Sequence, residues 1–147
     1  MNAMVQSTAG IPPQYGTAMT LEQAKKVMEA AEKEAAKNGW PMVIAIVETG
    51  GHLVMLHKMD QAQLGSVTIA RLKAETALHF RRPTKLFEDS IAGGGAALRT
   101  LAMPNVLPLE GGVPIIKEGK VIGAIGVSGM QSSQDAEVAR AGIAALS

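Results

Sequence analysis

Two strand–turn–strand ribbons constrain this chain more than any other feature of its sequence. Met42-Val43-Ile44-Ala45-Ile46-Val47 is an unbroken β-prone run, the pattern of a strand covered on both faces. Thr49-Gly50-Gly51-His52 is turn chemistry, and Leu53 to Lys58 returns as the partner strand. The second ribbon runs from Val113 to Lys117, turns at Glu118-Gly119, and comes back from Lys120 to Val127. Hairpins join antiparallel neighbours, so a short chain holding both implies an antiparallel sheet and not a doubly wound parallel one.

Helical patterns flank the ribbons. Thr20-Leu21-Glu22-Gln23 has the capping-box form, and Leu21, Ala24, Val27, Met28, Ala31 and Ala35 make one apolar stripe before Asn38-Gly39 ends the helix. A second helix is predicted from about Ser66 to Arg81, with Val67, Ala70, Ala74 and Ala77 small enough to lie close to a sheet. Pro83 stops it, and Thr84 caps a short turn through Phe87. Gly93 to Pro108 reads as irregular, with a short strand expected near Val106–Leu109. Ser132 to Leu146 is the closing helix. The order is helix, hairpin, helices, hairpin, helix. Residues 1–19, with Gly10, Pro12, Pro13 and Gly16 and no apolar period, read as a flexible leader before a single domain over 20–147.

Composition narrows the function classes. The chain of 147 residues is 47% hydrophobic but only 3% aromatic, enough for a core in one domain and for buried subunit contacts. Fourteen Lys and Arg nearly cancel thirteen Asp and Glu, no dense basic block appears, and aromatic side chains are too few for base stacking. Nucleic acid is therefore not an expected partner. The absence of cysteine removes disulfides, thiolate nucleophiles and cysteine-held metals, and fits a reducing cytoplasm. No apolar run approaches the roughly 20 residues of a membrane span, so no membrane association is expected.

The glycines do not form a nucleotide-binding motif. Gly119-Lys120 lacks the Gly of a P-loop at position 114, which is Pro114, and Val121 stands where a hydroxyl would be needed. Gly123, Gly126 and Gly129 are spaced three apart, unlike the dinucleotide fingerprint, and read as close-approach positions. Gly126-Val127-Ser128-Gly129-Met130 misses the nucleophile elbow at Met130. Among the histidines, His52 and His57 are at odd spacing on one strand and cannot chelate one ion, so no metal site is expected there. His79 has Glu75 one helical turn before it, as in a surface contact. Any one of His52, His57 or His79 remains a candidate axial ligand to haem, which needs a single strong donor.

Lys73 is singled out because it lies between Leu72 and Ala74 on a helix whose small residues must be buried. It reads either as a structural ion pair with Asp60 or Asp135, or as the contact for an anionic ligand. Gly111-Gly112 opens the second hairpin as either an anion nest or a tight turn. Ser128 to Asp135, including Gln134, places small polar groups at a helix N-terminus. Convergence of Lys73, Gly111, Gly112, Ser128, Gln134 and Asp135 would make a carboxylate-binding pocket.

The series Gly51-His52-Leu53-Val54, Lys58-Met59-Asp60, Lys73-Ala74-Glu75-Thr76-Ala77, Pro83-Thr84, Gly111-Gly112-Val113-Pro114-Ile115 and Gly123-Ala124-Ile125-Gly126-Val127-Ser128-Gly129, followed by Gln134-Asp135, closely resembles the GlcG/HbpS-like family from about Thr20 to Leu146. The resemblance implies an α+β, profilin-like fold: a five-stranded antiparallel sheet with helices on both faces. It also implies a homo-oligomer, an octamer built from dimers, and a protein that binds haem or another small anionic molecule. Haem-binding members of the family are linked to a histidine in the first helix, and Leu21 to Lys37 contains none. The alternative expectation is an isomerase or tautomerase acting on a carboxylated substrate, with Lys73 or Asp60 as acid and base and the Gly111-Gly112 amides facing an oxyanion.

Overall fold

Thr20 opens the first helix as its sequence predicts: its hydroxyl accepts from the Gln23 amide at 3.1 Å, and the Gln23 side chain accepts from the Thr20 amide at 2.8 Å. The computed structural model describes residues 11–147, and in it this helix, α1, runs Leu21–Lys37. Its buried stripe of Ala24, Val27, Met28, Ala31 and Ala35 is the one read from the sequence.

Strands β1 (Val43–Glu48) and β2 (Leu53–Lys58) form the first hairpin; β3 (Gly112–Lys117) and β4 (Lys120–Ser128) form the second. The sheet order is β2-β1-β4-β3, and every neighbouring pair is antiparallel. The ribbons join through β1 and β4, with Val43 opposite Ser128 and Glu48 opposite Gly123. These central strands are buried on both faces, which their continuous apolar sequences require. β3 carries Pro114 and lies at the edge, where a sheet tolerates a residue without an N–H.

Helices cover both faces. α1 and α4 (Ser132–Ile143) pack over Ile44, Ile46, Ile125 and Val127. On the other face, α2 (Ser66–Phe80) packs over Val43, Ala45, Val47 and Ala124. Gly126 permits this contact: a Cβ there would run into the Ala70 carbonyl and the Ala74 amide, so the α2 backbone rests directly on β4. Among the described residues, no helix is long and apolar enough to cross a membrane.

The structure corrects the sequence reading in four places. The described residues hold a sheet of four strands, where five were expected. Val106–Leu109, expected as a short strand, is irregular instead. Pro108 can donate nothing to a ladder, and the Leu107 amide donates to Thr76 Oγ1 at 3.0 Å, which fastens the segment to α2. The turn expected to end at Phe87 continues as α3 (Lys85–Ala92), and Gly95–Ala102 forms a 3-10 helix within the supposedly irregular stretch.

Of the expected leader, residues 1–10 lie outside the described residues. The rest runs alongside β4 where β1 has ended: the Gly16 amide donates to the Val121 carbonyl and the Val121 amide to the Gln14 carbonyl, each at 2.8 Å. The Tyr15 hydroxyl donates to the Leu78 carbonyl at 2.6 Å, at the end of α2.

Candidate functional site

The close seating of α2 on β4 carries Lys73 to the point where β3 begins. Gly111 has φ +133°, and a Cβ there would lie 2.7 Å from both Lys73 Nζ and the Val127 carbonyl oxygen. A Cβ on Gly112 would meet the Lys73 carbonyl. The paired glycines thus make room for Lys73 to pass beneath the chain. Its ammonium donates to the Val127 carbonyl at 3.0 Å and to Asp135 Oδ2 at 2.9 Å, with both charged side chains only 3% exposed. Asp135 Oδ1 also accepts from the Met130 amide at 3.0 Å. Burial pushes the Asp135 carboxyl up from its ordinary range, against the pull of Lys73 and of the Met130 and Gly129 amides. Of the two partners expected for Lys73, Asp135 is the one present; Asp60 is exposed in the turn after β2.

The Gly112 amide is already committed. It donates to Thr84 Oγ1 at 2.9 Å, and the Thr84 amide returns a bond to the Gly112 carbonyl at 2.9 Å. Beside this lock is a pocket of about 190 Å³ with Leu86, Val113 and Ala136 in its wall and Lys85, Glu110 and Arg140 around it. Asp89, Glu110 and Glu88 hold the Lys85 ammonium above its ordinary range.

The remaining expected ligand residues turn elsewhere. Ser128 Oγ bonds the fully buried Ser66 Oγ at 2.8 Å, on the α2 face of the sheet. Gln134 Oε1 accepts from the Gln131 amide at 3.2 Å and so caps α4. Lys73, Gly111, Gly112 and Asp135 therefore come together, while the polar groups of Ser128 and Gln134 are used by the fold.

The three histidines occupy unlike places. His52 is 79% exposed beside the β1–β2 turn, with Nδ1 3.4 Å from Glu48. His79 is on the exposed side of α2. Its expected partner Glu75 pairs with Arg71 at 3.4 Å, one turn earlier, which corrects the sequence reading. His57 faces α1 from β2, and its Nδ1 is 2.8 Å from Glu32 Oε2. This pair lies in a groove of about 350 Å³ between α1 and β2, lined mostly by charged side chains (Glu22, Lys25, Lys26 and Glu29), with Met55 partly open and Met28 buried beneath. Glu32 was not legible as a partner: it is 25 residues from His57, and only the packing of α1 on β2 joins them. Among the described residues, no three His, Asp or Glu side chains gather to hold a metal ion.

Comparison with known proteins agrees with this architecture. GlcG of Escherichia coli (strain K12) is 40% identical over 110 residues, spanning 75% of this chain and 81% of GlcG. The crystal structure of a double mutant of Streptomyces reticuli HbpS superimposes with a TM-score of 0.82 at 32% identity, covering 100% of this chain and 99% of that one. A crystal structure described as a PduOC:heme complex gives a TM-score of 0.80 at 29% identity, covering 88% and 95%. The family described as "Haem degrading protein HbpS-like" matches residues 19–144. On that match and on its identity to GlcG, this chain belongs to the HbpS-like family.

Proposed function

We propose that this protein binds haem, or a closely related anionic cofactor. One observation carries the reading: residues 19–144 match the family described as "Haem degrading protein HbpS-like". The related PduOC structure, crystallised with heme, supports the same class of ligand. Bound haem would supply a redox-active iron; this chain supplies the pocket around it.

Self-association belongs to the same reading. Leu64, Leu98 and Leu101 are exposed large apolar side chains of the kind that assembly into dimers and then an octamer would cover. The absence of cysteine suits work in the cytoplasm. The tautomerase alternative gains no support, because the Lys73 ammonium is buried and held by Asp135 and not by Asp60.

Titration of ferric haem into the purified full-length chain is the test. A saturable Soret band, with mass added per protomer in native mass spectrometry, is the expected result. A titration without any saturable spectral change overturns the proposal.

A further inference from the structure

Among the described residues, the buried charged side chains are Lys73, Asp135 and Glu110. Lys73 and Asp135 answer one another at 2.9 Å. Glu110, 9% exposed where the chain enters β3, has no such answer: among the described residues its carboxylate makes no hydrogen bond and no ion pair. Only its backbone is engaged, the amide donating to Glu88 Oε1 at 2.9 Å. Lys85 feels the Glu110 charge, but its ammonium is bonded to Asp89 at 3.2 Å and is half exposed. An enclosed carboxylate without a partner is costly to the fold, so its position calls for a counter-charge brought from outside.

Glu110 lines the pocket of about 190 Å³ that lies between α3 and α4 over the start of β3. Arg140 of α4 lines it too; this side chain is exposed, and among the described residues its guanidinium has no acceptor. The wall is otherwise apolar, with Leu86 and Val113 partly open and Ala136 buried beneath them. The space is below the roughly 300 Å³ at which pockets for drug-sized ligands begin, so it suits a small metabolite and not a macrocycle. A metal ion is not the missing counter-charge, because no three His, Asp or Glu side chains gather among the described residues. An organic ammonium needs only one carboxylate, and a guanidinium takes a carboxylate by two parallel bonds.

We infer that this pocket binds a small aliphatic amino acid, with its ammonium on the Glu110 carboxylate, its carboxylate on the Arg140 guanidinium and its side chain against Leu86 and Val113. Each end of such a zwitterion meets the charge that the protein leaves unpaired. A simple carboxylic acid would leave Glu110 alone, and a simple amine would leave Arg140 alone. Lys85, at the mouth, adds a second cation on the approach of the carboxylate end. The site is separate from any haem site and does not depend on the haem reading.

Isothermal titration calorimetry of the purified full chain, without haem, tests the assignment with three probes: L-valine, isovalerate, which lacks the ammonium, and isobutylamine, which lacks the carboxylate. L-valine is expected to saturate at one per protomer, with each analogue at least about tenfold weaker because it strands one charge. Glu110→Gln is expected to weaken L-valine by at least about tenfold while leaving isovalerate as in wild type. Arg140→Met should do the converse, weakening L-valine and sparing isobutylamine. Glu110→Gln should also melt no lower than wild type, since it removes a buried charge that the fold does not use. Absence of saturable heat with L-valine at millimolar concentration overturns the site. Isovalerate binding as tightly as L-valine, or a Glu110→Gln protein that keeps full L-valine affinity or melts well below wild type, overturns the role of Glu110. An Arg140→Met protein with wild-type affinity for L-valine overturns that of Arg140.

Discussion

Lys73 of α2 and Asp135 of α4 meet at 2.9 Å although their helices cover opposite faces of the sheet. They reach one another past the end of β4, where the Val127 carbonyl takes a second bond from the ammonium and Gly111 leaves the space open. The pair therefore ties the two helical layers directly, without the sheet as intermediary. Charges this deeply enclosed are costly to separate once one partner is lost.

Lys73→Met should lower stability by about 3–5 kcal/mol in urea denaturation, since it strands the Asp135 carboxyl among apolar neighbours. Lys73→Met combined with Asp135→Leu should cost less than Lys73→Met alone. A double variant showing the sum of the single effects would refute the pairing.

The acid limb of stability should carry a signature of Asp135. Its folded-state pKa lies above the ordinary 3.8, raised by burial. Between the two values the folded protein keeps a proton that the unfolded chain has lost, so this group's contribution to stability falls as pH rises through that interval. Glu34, held down by Lys37, and Glu48, whose desolvation is outweighed by His52 and the Gly50 amide, act in the opposite sense. Both are common to wild type and Asp135→Asn, so the difference in urea midpoint between these proteins, followed across the acid range, isolates the contribution of Asp135. A flat difference would contradict it.

Gly126→Ala should destabilise the protein by about 3 kcal/mol or more, because the new Cβ meets the α2 backbone and no side chain can swing aside. Gly65→Ala is the matched control. Nothing lies within 4 Å of its Cβ position, and its φ of −61° suits any residue. Thermal melts of both should separate them clearly.

Thr84→Val keeps the shape of a fully buried side chain and removes the acceptor for the Gly112 amide. A loss of about 1–3 kcal/mol is expected, with faster hydrogen exchange at Gly112 than at Ile115 in the same strand. Unchanged exchange at Gly112 would show that the Thr84 bond is dispensable.

Much of this architecture was readable in advance because its signals are local. The turn residues Gly50-Gly51 and Glu118-Gly119 fixed both hairpins, and the Thr20–Gln23 box fixed the start of α1. Lys73 stood out because a charge among obligately small residues must find a partner, and Asp135 was one of its two candidates. What stayed hidden depends on contacts between distant segments. Nothing in residues 106–109 announces that Thr76 will capture the Leu107 amide and keep this apolar stretch out of the sheet. The Gly111-Gly112 turn looked open to an anion until Thr84 occupied it. Glu32 becomes the partner of His57 only through the packing of α1 across β2.

Pro114 has one more effect, on how the molecule meets its own kind. It removes a backbone donor midway along β3, so the rim on that side cannot template an incoming ribbon. The opposite rim, β2, keeps its full set of main-chain groups. The flank bearing His57 is therefore the edge of the sheet whose run of main-chain donors no proline interrupts.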